Sequence, residues 1–542
     1  MTDTLPIRPT SKETHRQPSL LFPAELTAIE LADRPPDAFA DLNLDQIVAS
    51  LTAKREPYDL APYLWTPLPT VAAVRYRQAV FDDLADDQLR HGLEEFAEAM
   101  RVMRRWQSAA EKTSYRRYGQ GCRLEAIHRY LTALASLREL LQQVGPRSNA
   151  LKSIMEYLDE YVASERFVEL GKDNRRLQNE LASLHYAVRI RGPKVTVTSE
   201  RSDQDFSKVV TATFERFQQS DVDSHLIKLG PPSFTHVDEQ ILGCLAKLNA
   251  DLFGRLAEHC RRHATFIDAV ISRFDRELQV CLGYLAITDP LRAAGLRFAL
   301  PEFTDPPALD VRSGFDLALG LNIDPGRLVC NDATLEGDER ALVLSGPNQG
   351  GKTTFARMVG QVFYLAGLGF PVPASHARLH LMDRIFTHFE RVEDRDRDTE
   401  GGKLEDDVIR IRDILQQSTG RSVLVINEMF SSTTIDDAQY LGGAVLAKIG
   451  RSDTITVYVT FVEELASAPG AVSMVSRTLP EDPAVRTFHV DRMPPQGTAH
   501  ALALAAKHRL TRAEIVRRLS RPAQPEPSPR QESTAPSRGA EA

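Results

Sequence analysis

Residues 341–367 read ALVLSGPNQGGKTTFARMVGQVFYLAG, and this stretch decides the fold. Residues 341–345 (ALVLS) form a continuous apolar run of the kind a buried strand carries. The run feeds directly into Gly346-Pro347-Asn348-Gln349-Gly350-Gly351-Lys352-Thr353-Thr354, which fits G-x-x-x-x-G-K-[ST], and then into a helical pattern. Strand, loop and helix in that order make a phosphate cradle. Glycines let the main chain approach a polyphosphate, and the amides and dipole of a helix N-terminus favour the anion. On this reading the loop binds ATP, Lys352 reaches the β and γ phosphates, and the Thr353 hydroxyl ligates Mg2+.

Two further runs extend the pattern. Residues 422–426 (SVLVI) and 454–460 (TITVYVT) are apolar or β-branched, as expected of buried, mainly parallel strands in an α/β nucleotide-binding layout. The first ends in Asn427-Glu428, the place where a P-loop enzyme usually has a magnesium-linked Asp before a catalytic Glu. Asn427 keeps a carbonyl oxygen but no charge, so metal affinity should fall. Glu428 is a candidate to orient or deprotonate an attacking water, or else a solvated strand end.

The rest of the 542 residues divides by texture. Residues 1–34 read as a flexible N-terminus and residues 521–542, rich in Pro, Ser, Glu and Ala, as a disordered tail. Residues 35–300 are mostly helical. Leu89, Leu93, Phe96, Met100, Met103 and Trp106 form one stripe, and Leu124, Ile127, Leu131, Leu134 and Leu137 the next. The longest stripe runs from Ile241 to Leu278 with no proline between Pro232 and Pro290; a continuous helix of about 50 residues there would be about 75 Å long, a lever or strut. His259 and His263 on it read as packed or solvated helix residues. Residues 186–200 alternate around Gly192-Pro193 as a β-hairpin inserted among helices.

Composition excludes fibrous, disordered and membrane classes for most of the chain: 42% of residues are apolar and 26% charged. No run approaches the roughly 18 apolar residues of a membrane span. The first residues lack the apolar core of a secretory signal, so the chain reads as cytoplasmic. Five cysteines without metal-ligand spacing read as reduced core thiols. Net charge is −8, yet residues 101–150 hold ten Arg or Lys against three Glu. That segment includes Arg116, Arg117 and Arg123, interleaved with Tyr115 and Tyr118, and the hairpin adds Arg189, Arg191 and Lys194. These groups could track nucleic-acid phosphates without reading bases, or simply form a solvated basic face.

The ordered motifs resemble the MutS-type DNA mismatch-recognition ATPases, an ABC-like branch of P-loop proteins. Residues 329–332 (VCND) precede the loop, and GPN-x-GGK is that family's form of the phosphate loop. Residues 370–374 (FPVPA) and 383–387 (DRIFT) follow in order, then Thr433 and Asp437, then the closing residues 498–519. The resemblance implies an α plus α/β fold: a long-helix lever and clamp domain, residues 35–300, then an ABC-like P-loop ATPase domain, residues 301–520. It further implies a homodimer acting on duplex or branched DNA in mismatch repair or related DNA-structure recognition, with no membrane partner. The hairpin lies where a clamp tip would.

Departures from the family are specific. Gly402 stands where a signature Ser would reach the partner subunit's γ-phosphate, so the Gly401 and Gly402 amides or the Lys403 ammonium would make that contact instead, unless residues 393–400 are merely an exposed acidic loop. Phe461 replaces a switch His, which with Asn427 predicts slow hydrolysis. Leu328 takes the place of an adenine-packing aromatic, with His489 a candidate to stack on the base. The thirty-five residues before the helices leave no room for a mismatch-reading domain, and Phe96-Ala97-Glu98 lies on a core stripe rather than forming a wedge. Two readings stand: a DNA-associated clamp ATPase, and a nucleotide-gated interaction module without mismatch sensing or appreciable turnover.

Overall fold

The computed structural model describes residues 18–26, 29–191, 194–198, 234–390, 402–479, 485–495, 505 and 510–519, with the side chains at 189, 190, 194 and 195 outside that set. The helical half is built on an amphipathic pair, Asp87–Lys112 and Arg116–Val144. Both expected stripes face inward: Leu89, Leu93, Phe96, Met100, Met103, Leu124, Ile127, Leu134 and Leu137 are buried. The Asp87–Lys112 helix starts where the Asp86 carboxylate accepts from Leu89 N at 2.9 Å, and Asn149–Ala163 where the Ser148 hydroxyl accepts from Leu151 N at 3.3 Å. Glu165–Ala182 then leads to β1 (Ala187–Arg191) and β2 (Lys194–Thr198), which pair antiparallel with Arg191 opposite Lys194.

The single long lever does not form. The segment is three helices, His236–Leu248, Ala250–Arg262 and Ala269–Ala293. Asn249 interrupts the first two at φ −126° and ψ 49°, its side-chain amide donating to Leu245 O at 3.1 Å. Asp268 starts the third, its carboxylate accepting from Val270 N and Ile271 N at 2.8 and 3.2 Å. Short polar side chains compete for backbone hydrogen bonds and so favour helix ends, even where no proline is present.

The expected loose N-terminus does not include residues 18–26. Leu20 and Leu21 are fully buried. Glu277, on the Ala269–Ala293 helix and 1% exposed, accepts from the Ser19 hydroxyl at 2.8 Å, Leu20 N at 2.6 Å and Leu21 N at 3.3 Å. Burial drives its carboxyl pKa upward, opposed by Arg273 and these donors.

The second half holds two sheets. β3 (Glu302–Thr304), β7 (His376–His380), β4 (Leu309–Gly314) and β5 (Asn331–Leu335) form the smaller, in that order. The larger has the order β12 (Arg486–Arg492), β11 (Ala471–Thr478), β6 (Ala341–Ser345), β10 (Ile455–Val459), β9 (Val423–Asn427), β8 (Ile385–Phe389), all parallel except the edge strand β12. The three strands expected from apolar runs are β6, β9 and β10.

The boundary expected at residue 300 is not a gap in packing, because one apolar core runs from Leu20 through the helices to the sheet. The phosphate-loop helix, Lys352–Gly367, is held at each turn by the N-terminal segment: Arg357 Nε to Asp41 O at 2.9 Å, Gln361 Nε2 to Leu42 O at 2.9 Å, Tyr364 OH to Leu64 O at 3.0 Å. Among the described residues, no helix is long and apolar enough to cross a membrane.

Candidate nucleotide site and basic face

The fully buried strand β6 delivers the chain to Gly346, and the loop to Gly351 turns through φ 113° at Gly346, 60° at Gln349 and 95° at Gly351. Gly350 is required for space: a Cβ there would lie 2.3 Å from Ser476 Oγ, which donates to Gly350 O at 2.6 Å. The loop is therefore clamped from β11, and the helix begins at Lys352 with its first amides lacking intrahelical acceptors. Lys352, 6% exposed, donates to Gly346 O at 2.7 Å, Pro347 O at 3.2 Å and Asn348 Oδ1 at 3.3 Å. Burial lowers the pKa of its ammonium, and Glu428 opposes that shift more than Arg486 adds to it.

A cleft of about 680 Å³ opens on this loop, lined by residues 348–354 together with Glu428, Leu328 and Phe488. Gly346 and Pro347 are absent from that lining and support the loop from behind. The Thr353 hydroxyl donates to Asn427 Oδ1 at 2.9 Å, so the two oxygens expected near a metal are side by side. Glu428 sits at φ 55°, its amide tied to Val459 O at 2.9 Å. A non-glycine residue held in the left-handed region at a cleft mouth is strain of the sort that marks functional positions.

The donor set fits magnesium nucleotide with one qualification of charge. Unpartnered helix amides, a lysine and a glycine-lined loop suit polyphosphate, whereas Thr353 and Asn427 offer only neutral oxygens. A metal here would depend mainly on the phosphates' own charge, with Glu428 and Asp316 the acidic residues lining the cleft.

Phe488, rather than His489, lines the cleft. Phe488 has φ 61°, is about half exposed, and lies 3.5 Å from where a Gly351 Cβ would stand. The register of β11 against β12 shifts between Ser476 and Thr478, so plain alternation along β12 misplaces the ring. Asn331 locks this geometry, donating to Phe488 O at 3.2 Å and accepting from Val490 N at 2.8 Å.

Gly402 caps the Lys403–Gln417 helix with no atom within 4 Å of a would-be Cβ. Lys403 pairs with Glu390, and neither Gly402 nor Lys403 lines this subunit's cleft. The acidic stretch 393–400 lies outside the described residues. Phe461 is exposed and also outside the cleft lining. Thr433 donates to Asp437 Oδ2 at 3.1 Å.

Much of the basic segment is engaged internally. Arg104 pairs with fully buried Asp275 at 2.7 Å, Arg117 with Glu239 at 3.0 Å, Arg129 with Glu125 at 2.8 Å, and Arg138 with Asp159. Arg123 donates to Ala264 O at 3.0 Å. Phe234 stacks on Tyr118 with centroids 4.2 Å apart, so that ring is not open to a base. Arg105, Lys112 and Arg116 make no ion pair among the described residues, and Arg191 is exposed on β1. The side chains of Arg189 and Lys194 lie outside the described residues.

In comparison with known families, residues 342–482 match the family model of MutS domain V. The matched span starts in β6, carries the phosphate loop, β9 and Glu428, and ends just past β11.

Proposed function

We propose, from the premise that the chain is a MutS-type family member through its domain V, that it binds magnesium ATP at residues 346–354, hydrolyses it slowly, and works as a homodimeric nucleotide-gated clamp on DNA. The hydrogen bond from Thr353 to Asn427 carries the slow-turnover part, because it puts a neutral amide where a carboxylate would bind the metal. When bound, magnesium would supply charge neutralisation to the phosphates. Lys352 would exchange its loop carbonyls for phosphate oxygens, Glu428 would orient water, and Phe488 and Leu328 would bracket the base.

Dimer formation is supported by exposed apolar side chains within the matched span: Ile435, Tyr440 and Phe461 are 62%, 79% and 45% exposed. With Lys403 paired to Glu390, the Gly402 end of its helix is the better candidate for the partner's γ-phosphate. Lys403→Ala and Gly402→Val proteins test this, since ATP-dependent dimer closure unchanged in both removes the idea.

DNA contact would fall on Arg105, Lys112, Arg116 and the hairpin. The internal pairing of Arg104, Arg117 and Arg138 favours the second reading, a nucleotide-gated interaction module without mismatch sensing or appreciable turnover. ATP turnover and salt-dependent binding measured with homoduplex, mismatched and four-way-junction DNA separate the two. Affinity that falls with salt and changes with ATP supports the clamp; affinity indifferent to both supports the module.

A further inference from the structure

Far from the nucleotide cleft, two histidines and an aspartate converge where the Glu165–Ala182 and Ala250–Arg262 helices pack. His259 lies in the last turn of the second helix and His263 is its C-cap, while Asp173 comes from the first. One ligand atom from each lies within 4.8 Å of the others. The imidazole rings are 4.8 Å apart between centroids.

The hydrogen bonding there is incomplete in an informative way. His259 is only 5% exposed; its Nε2 is 3.3 Å from Asn174 Oδ1, and its Nδ1 has no partner. Nε2 of His263 is likewise buried without a partner. Buried polar nitrogens in native proteins are nearly always satisfied, so two orphaned imidazole nitrogens in one cluster call for a ligand. If Nε2–H of His259 donates to Asn174, Nδ1 presents a lone pair, the arrangement by which metal-binding histidines are oriented through their second nitrogen. Burial also keeps the ring neutral, its pKa pushed down to about 4, with the neighbouring His263 a smaller contributor.

We propose that Asp173, His259 and His263 form a three-ligand site for a divalent transition metal of the zinc class, with water in a fourth position. Two imidazoles and a carboxylate suit zinc rather than magnesium or calcium. At metal–ligand bonds of about 2.1 Å, tetrahedral ligand atoms stand about 3.4 Å apart, so closure needs side-chain shifts of about an ångström. The competing cation is Arg262, 3.8 Å from Asp173 and mostly exposed, hence able to swing away. Arg176 and Arg255 do not compete, since both pair with Glu180. The metal would pin the end of the Ala250–Arg262 helix to the Glu165–Ala182 helix, just before the break at residues 263–268, and so fix how the chain enters the Ala269–Ala293 helix.

The test uses the full chain, stripped with EDTA and titrated calorimetrically with Zn2+, with Co2+ as an optical probe. Expected are a single tight site, a tetrahedral Co2+ spectrum without thiolate charge transfer, and a zinc-dependent rise in melting temperature. Asp173→Asn should weaken zinc at least about tenfold, His259→Gln with His263→Gln should abolish the site, and Arg262→Ala should tighten it. The Arg262→Ala protein keeps all three ligands, so it remains informative even if the histidine variants fold poorly. Absence of a stoichiometric site at micromolar zinc, affinity unchanged in the Asp173→Asn and double-histidine proteins, or a thiolate band would overturn the proposal.

Discussion

Arg77→Met should destabilise the protein by several kcal/mol. Arg77 is fully buried, and its guanidinium donates to Leu21 O at 3.3 and 3.2 Å and to Leu368 O at 2.8 Å while lying 5.1 Å over the Phe22 ring. Burial lowers its pKa to about 10, with Cys281 and Glu277 opposing, so it is charged at neutral pH. Methionine fills similar space but orphans two carbonyls, each worth about 1–3 kcal/mol, for a sum of about 2–6 kcal/mol. Removing one member of a buried ionic cluster gives a similar figure, about 3–5 kcal/mol. Glu277 shares Leu21 with Arg77, so Arg77→Met combined with Glu277→Gln should cost less than the two single changes together by about 1 kcal/mol or more. Urea unfolding followed by circular dichroism measures all four proteins. A loss under about 1 kcal/mol for Arg77→Met, or strict additivity in the double variant, would refute the reasoning.

Asn427→Asp should raise ATP turnover about tenfold or more, measured as steady-state phosphate release, because it restores charge beside the Thr353 hydroxyl; Glu428→Gln should abolish that gain. Phe488→Ala should weaken ATP binding about tenfold, whereas His489→Ala should change it less than twofold, read by fluorescent-nucleotide titration. Acidification should loosen the helices around His259 in metal-free protein. Its folded pKa of about 4 lies below the 6.5 of the free side chain, so this stability is complete above pH 6.5 and is lost as pH falls toward 4. The loss is about 2 kcal/mol by pH 5, and His259→Gln should flatten that part of a melting-temperature profile.

The phosphate loop, the three central strands, the hairpin and both helical stripes were legible in the sequence because each is a local pattern with a fixed period or spacing. What escaped depended on distance or on a broken period. Nothing near Ser19 announces a carboxylate 258 residues away, and so the N-terminal segment read as loose. Phe488 was missed because the register shift in the β11–β12 pair and its φ of 61° defeat alternation. The breaks at Asn249 and Asp268 did carry a signal, since both residues cap helices readily; the continuous apolar stripe outweighed it. The Arg-rich segment was read by its charge total, although most of its partners lie on other helices.

These long-range contacts bear on how a nucleotide at the phosphate loop could be felt at the Ala269–Ala293 helix. The Lys352–Gly367 helix is about 24 Å long, and one end frames the cleft. Along its length it bonds to Asp41, Leu42 and Leu64, and at its far end the carbonyl of Leu368 is gripped by Arg77. Arg77 also holds Leu21, which donates to Glu277 on the Ala269–Ala293 helix. A shift of the loop on binding phosphate therefore has no slack turn in which to dissipate. It would either break a buried charged hydrogen bond or carry the Ala269–Ala293 helix with it, and tight packing favours the second. That makes residues 18–26, which read in the sequence as part of a flexible terminus, a joint between the phosphate-loop helix and the Ala269–Ala293 helix.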